Sequence, residues 1–220
     1  CHYSGEYERS FETEVAGVRI RAPMMQINTV AAGGGSILSF KDGRFQVGPE
    51  SAGAIPGPAS YGKDGPLTVT DCNVLLGKLH PEYFPNVFGK SGKEPLNTEI
   101  VKDKFLLMSQ EVSKKTDGLQ IDIFLLAEGF LKIAVENMAN AIKKISIQRG
   151  YDVTKYTLNC FGGAGGQHAC QVADSLGITS VFLHPYAGVL SAYGMGLAEI
   201  RSIKESHFES DIENINEAEK

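Results

Sequence analysis

Apolar and polar positions change period along this chain. Through about residue 50 the period is two. Phe11, Thr13 and Val15 alternate with charged residues, and Val18, Ile20 and Ala22 alternate with Arg19 and Arg21. That is the pattern of half-buried strands. Asp42-Gly43, between Ile37–Lys41 and Arg44–Val47, is a two-residue hairpin signal. From Gly48 to Pro66 the period disappears among glycines, prolines and small residues, a composition that excludes a helix or a central strand. Ile55 and Tyr61 within it argue for an ordered loop packed on the domain.

A period near 3.6 takes over afterwards. Leu67 to Thr70 reads as a short strand, with Asp71 as cap of a helix from Asn73 to Leu79. Asn97 caps the next helix, with Leu96 and Val101 as a hydrophobic staple, to about Lys115 and an end at Asp117-Gly118. Asp122 caps the longest helix, to about Arg149, with Gly150 as its stop. Its apolar stripe is Ala127, Phe130, Leu131, Ala134, Met138, Ala141, Ile142 and Ile145, read as core.

The last third returns to mixed periods. Tyr156 to Cys160 alternates as a strand, and four glycines follow within Gly162–Gly166. Ala169, Val172, Ala173 and Leu176 then fall at helical spacing before Gly177, and Ile178–Leu183 is another strand. This is a strand–helix–strand unit with a parallel pairing. Gly188–Ala198 reads as a helix of small residues, and Arg201–Phe208 as a final strand. The fold class is therefore α/β: N-terminal strands, then helices, then a βαβ unit.

Composition narrows the function. The chain has 220 residues with 42% hydrophobic and 21% charged positions, ordinary for a globular protein. A net charge of −5 without a basic tract argues against a nucleic-acid partner. The most apolar stretch, Ile121–Ile142, is interrupted by Asp122, Glu128, Lys132 and Glu136, so it does not read as a membrane span. Cys1, Cys72, Cys160 and Cys170 lack paired spacing. Free thiols in the cytoplasm are the expectation, and a zinc site from Cys160, His168 and Cys170 is disfavoured. The chain opens on Cys1 in strand-like sequence and ends in a polar run, which reads as a piece of a longer polypeptide.

The chemistry concentrates in glycine loops. A glycine loop between a strand and a helix exposes bare backbone, and it aims N–H groups and the helix dipole at a guest, so an anion or nucleotide suits it. Gly162–Gly166 is such a loop, although it lacks the Walker ending, and His168 stands where a dinucleotide fingerprint needs glycine. A tight turn without a ligand is the alternative. Gly33-Gly34-Gly35-Ser36 is a second candidate cradle, with a strand-entry bulge as its alternative. Asp71 is either a helix cap or a metal–nucleotide or catalytic-water contact. His184, at a strand's C-terminal end, lies where such sheets bind ligands, but it also reads as a surface histidine.

Six motifs occur in order: Asn28–Ser36, Val47–Ala54, Pro56-Gly57-Pro58, Thr68–Asp71, Phe161–Ala169 and Leu190-Ser191-Ala192. Together they resemble the hydantoinase/oxoprolinase family, in its ATP-dependent A-type half. Gly-Gly-Ala-Gly-Gly-Gln-His and Asn-Thr-Val-Ala-Ala resemble the 5-oxoprolinase branch more than the N-methylhydantoinase or acetone carboxylase branches.

The resemblance implies a fragment of an actin-like, ribonuclease-H-like ATPase fold that encloses ATP between two lobes. Residues 1–205 would be the C-terminal lobe fragment, with a strand- and loop-rich part (1–80) and a helical and βαβ part (96–205), and 206–220 a polar tail. Gly162, Gly163, Ala164, Gly165 and Gly166 would take the adenosine side, with Gln167 and His168 adding side-chain contacts. Gly33, Gly34, Gly35 and Ser36 would line the cleft, and Glu50 and Asp71 are candidate catalytic residues. The implied reaction is ATP-driven opening of 5-oxoproline to glutamate. Phosphorylating the lactam oxygen makes the ring carbon attackable, with Mg²⁺ neutralising the transferred charge. Implied partners are the cyclic amide, a missing N-terminal lobe, a B-type half or subunit, and further copies of the chain. A scaffold retaining only the fold is the non-enzymatic alternative.

Overall fold

The computed structural model describes residues 30–116, 118 and 120–200, and before them residues 5, 9–15, 18–21, 24, 25 and 27. The strand expected over Arg201–Phe208 and the polar tail lie outside the described residues, as do Asn28, Thr29, Ala22 and Asp117.

The early alternation produces antiparallel pairs. β1 (Arg9–Ser10) pairs with β4 (Met24–Met25), and β2 (Thr13–Val15) with β3 (Val18–Ile20). β5 (Ser36–Lys41) turns at Asp42-Gly43 into β6 (Arg44–Ser51). Both turn residues have positive φ, 51° and 72°, the geometry that matches the twist of a two-residue hairpin. β6 runs further than the Gly/Pro composition predicts. Gly48 and Pro49 lie within it, and after a bulge Ser51 pairs with Ser36. Among the described residues β6 has one strand neighbour, β5, and a strand edge tolerates proline. The irregular loop therefore begins at Ala52 and carries a single helical turn at Ala59–Tyr61. Tyr61 packs on Phe88, with ring centroids 4.8 Å apart. Ile55, expected to pack as well, is 84% exposed.

α1 (Val69–Leu75) starts three residues earlier than expected, on Thr68 rather than Asp71. It is buried along nearly its whole length against β5, α2 (Thr98–Lys115) and α3 (Ile123–Ile145). The caps of the two longer helices stand as expected. Asn97 accepts the Ile100 N–H at 2.9 Å, and Asp122 accepts those of Phe124 and Leu125. α3 ends four residues before Arg149. Ser146 leaves the helical region (φ −130°, ψ −80°), and its hydroxyl donates back to the Ile142 carbonyl. One short turn, Ile147–Arg149, then reaches Gly150.

α3 is the spine of the core. Ala127, Phe130, Leu131 and Ala134 pack with Leu38, Val47, Val69, Val101 and Phe105. Further along the same helix, Val135 and Ala139 pack with Val153, Val172, Ala173, Leu176 and Ile178. Phe130 and Phe105 are 1% and 0% exposed, each worth roughly 1.5–3 kcal/mol of burial. The second cluster seats the strand–helix–strand unit: β7 (Thr157–Cys160), α4 (Ala169–Leu176) and β8 (Ser180–Leu183). β7 and β8 pair in parallel, Thr157 to Ser180 through Cys160 to Leu183. α5 (Leu190–Leu197) follows, exposed throughout its small-residue face. No helix among the described residues is long and apolar enough to cross a membrane.

Candidate ligand pocket between two glycine loops

α1 enters the site through a set of side-chain bonds at its first turn. Thr68 and Asp71 form a capping box, with Asp71 at the third helical position. The Asp71 carboxylate accepts four donors: the N–H groups of Ala59 (3.0 Å), Ser60 (2.8 Å) and Thr68 (2.8 Å), and the Thr68 hydroxyl (3.0 Å). It is 0% exposed. Burial pushes its pKa up from the ordinary carboxylate value, against the opposing pull of the Ser60 and Thr68 hydrogen bonds. Asp71 therefore ties the Gly/Pro loop to α1.

The next residues along α1 reach the two glycine loops. Thr70 holds the first: its N–H and its hydroxyl both donate to the Gly34 carbonyl, at 2.9 and 3.0 Å. Asn73 holds the second: its Nδ2 donates to Gln167 Oε1 at 2.7 Å and lies 3.5 Å from His168 Nε2. Between the loops lies a cavity of about 300 Å³, at the small end of ligand sites. Gly33 and Gly34 form one wall, and Phe161, Ala164, Gly165 and His168 another. Met138, Ile142 and Leu158 make its apolar floor. Among the described residues no carboxylate lines it.

The glycines differ in what they do. A Cβ on Gly165 would sit 2.8 Å from Cys160 Sγ, and one on Gly34 2.7 Å from Thr70 Oγ1. These two are demanded by packing. A Cβ on Gly33, Gly163 or Gly166 would meet nothing within 4 Å, and none of these residues has a positive φ. Their backbones are open to an incoming group.

Two polar atoms bordering this region have no partner among the described residues. Asn73 Oδ1 and His168 Nδ1 are buried and unbonded. His168 is 5% exposed. Burial, with the positive Lys78 adding to it, lowers its pKa, so the imidazole is neutral at neutral pH. A neutral ring facing Asn73 Nδ2 through Nε2 presents Nδ1–H as a donor.

The sequence-derived candidates separate accordingly. Gly33, Gly34, Ala164, Gly165 and His168 come together around the cavity. Gly35 and Ser36 lie behind it: the Gly35 carbonyl accepts Ala52 N–H, and Ser36 Oγ accepts Gly33 N–H. Gly162 donates to the Ala187 carbonyl, and Gln167 faces Asn73. Glu50 is exposed on β6, and Asp71 is enclosed by its four donors. His184 lies beyond β8, stacked near Phe182, Tyr186 and Tyr193, and is not among the cavity's lining residues. Thr70, Asn73, Phe161 and Leu158 were missed. Met138, read as core, also borders the cavity. For Asn73 the signal was available: an amide inside an apolar helix needs a partner.

An α/β chain whose two glycine loops face each other over an apolar cavity is the class that these features define. The chain belongs to the hydantoinase/oxoprolinase family, whose model matches residues 1–204. It is 47% identical over 201 residues to a 5-oxoprolinase of Dictyostelium discoideum, covering 90% of this chain and 16% of that protein. Among solved structures, the ATP-dependent caprolactamase from Pseudomonas jessenii matches with a TM-score of 0.70 and 37% identity, over 84% of this chain and 26% of the other. A nucleotide-free acetone carboxylase matches with a TM-score of 0.71 at 22% identity, over 86% and 26%, a likeness of fold.

Proposed function

We propose that this chain supplies the adenosine-side wall of an ATP site in an enzyme that opens 5-oxoproline to glutamate with hydrolysis of ATP. The observation that carries the reading is the convergence of Gly33–Gly34 and Ala164–Gly165 on one apolar cavity. A flat, apolar base with a few hydrogen-bonding edges suits such a space. Open backbone at Gly33, with the unbonded His168 Nδ1, fits the ribose and base end of a nucleotide, and Gly163 and Gly166 leave the exposed rim beside it open. Bound ATP would supply the phosphoryl group that makes a lactam carbonyl attackable.

The residues present fit the nucleoside better than the phosphates. Because the described lining is apolar and backbone with no carboxylate among it, Mg²⁺ and the transferring phosphate are assigned to residues outside this lining. Glu50, exposed at the end of β6, remains a candidate for polar contact there. Asp71 is a candidate only as a support, since it is buried and both its oxygens already accept protein donors. The proposed whole includes a further lobe over the glycine loops, a B-type half that completes hydrolysis, and further copies of the chain. Residues 1–205 form the lobe fragment, split near 80–96, before a polar tail. A reducing, cytoplasmic setting belongs to the same proposal, on the unpaired spacing of the cysteines in the sequence.

The test is ADP release by the full-length natural protein offered 5-oxoproline, caprolactam, hydantoins or acetone. Stimulation by 5-oxoproline above the others is expected. A response to acetone or a hydantoin alone would move the chain to a sister branch, and no response to any would favour a scaffold.

A further inference from the structure

α1 meets three separate segments through three polar residues within one turn. Asp71 binds the loop at Ala59 and Ser60, Thr70 binds Gly34, and Asn73 binds Gln167. Thr70 and Asn73 are three residues apart, so they lie on one face of the helix about 5–6 Å apart. One turn of helix thus spans from the first glycine loop to the second. The loops are more than a hundred residues apart in sequence, and the cavity lies between them.

We propose that α1 is the gauge of this pocket, with Asn73 as a positioning residue that holds the Gly162–Gly166 loop at its working distance from Gly34. Three observations support this. Asn73 is 0% exposed, so it is not placed to contact a ligand directly. Its bond to Gln167 fixes the residue that closes the short turn Gly165–Gln167, which leads into α4. Among the described residues the loop's other backbone holds are Gly162 N–H on the Ala187 carbonyl and internal turn bonds, and Gly165 lies so near Cys160 that an added Cβ would fall 2.8 Å from its Sγ. The unbonded Asn73 Oδ1 marks a side chain whose rotamer is set by the contact to Gln167 rather than by full satisfaction of its own groups. A half-satisfied buried amide is costly, and the bond to Gln167 is the strong interaction that offsets part of that cost.

The inference rests on the nucleotide reading for its affinity arm but not for its structural arm. In the full-length natural protein, Asn73→Ala and Gln167→Leu each remove the bond, and Gln167→Glu retains an acceptor for Asn73 Nδ2. Hydrogen exchange of the 162–167 amides is measured without nucleotide, and the Kd for ATP by calorimetry. The expected result is about tenfold faster exchange in that loop for Asn73→Ala and Gln167→Leu, with α2 and α3 amides unchanged. ATP affinity falls about tenfold in Asn73→Ala and Gln167→Leu, the double variant is no worse than the poorer single, and loop exchange in Gln167→Glu stays near wild type. Additive losses in the double variant, or unchanged loop exchange, would overturn the gauge. If the wild type binds no ATP, the functional proposal fails alone, and the exchange cycle still decides the role of Asn73.

Discussion

The Oδ1 of Asp71 accepts the Ser60 N–H at 2.8 Å, with both residues 0% exposed. With Ala59 and Thr68 on the other oxygen, every bond to this carboxylate comes from a donor. That arrangement predicts the effect of Asp71→Asn. The amide keeps one acceptor oxygen and turns an NH₂ toward N–H groups that need an acceptor. At least one buried donor is left unpaired, and stability should fall by about 3 kcal/mol in urea unfolding. Wild-type stability combined with lost turnover would instead make Asp71 a reacting group.

The glycines of the second loop separate packing from ligand approach. Gly163→Ala meets no atom within 4 Å, so the melting temperature should hold while nucleotide affinity drops, by about tenfold where the added methyl stands in the ligand's path. Gly165→Ala brings its Cβ to 2.8 Å from Cys160 Sγ, and the protein should lose about 1–3 kcal/mol through strain. Adding Cys160→Ala should return part of that loss. Equal melting shifts for the two glycine variants would contradict this division.

His168 sets a pH dependence. Its pKa is lowered in the folded chain, first by burial and then by Lys78. Below the unfolded value, about 6.5, the unfolded chain binds a proton that the folded chain refuses. Stability should therefore be level above that value and decline as pH falls toward the lowered folded pKa. His168→Gln should flatten this part of the stability curve. The comparison is urea midpoints of the two proteins between pH 5 and pH 8, and parallel curves would remove His168 as the cause.

The helices were legible because their signals are local. Asn97 and Asp122 cap where side chain and spacing said they would, and the stripe from Ala127 to Ala134 is buried. The parallel pairing of β7 with β8 followed from the glycine loop between strand and helix. Asp71 was misread as the cap because Thr68 and Asp71 both suit a helix start, and the capping box uses them together. The reach of β6 through Gly48 and Pro49 was hidden because local composition does not reveal which strand edges are paired, and among the described residues β6 pairs with β5 alone. The site was half legible. Glycines announce open backbone, but no local pattern ties Asn73 to Gln167, 94 positions later. Such a pairing is decided by how α1 and α4 both pack on α3.

The face carrying β8 and α5 makes the last prediction. In a parallel α/β arrangement strands are ordinarily covered on both faces. Here all four residues of β8 are exposed, with Val181 at 38%, Phe182 at 50% and Leu183 at 59%. Met195 and Leu197 of α5 add exposures of 79% and 67%. Large apolar side chains exposed together in this way mark surfaces on which proteins associate. The 220-residue chain handled alone should therefore associate, with a sedimentation coefficient that rises with concentration. Leu183→Lys with Met195→Glu should reduce that rise. The fold should be little affected, because each exposed substitution costs only about 0.5 kcal/mol or less. A concentration-independent monomer would mean that these side chains turn inward in solution, and their exposure to a quencher or to limited oxidation of Met195 would then be low.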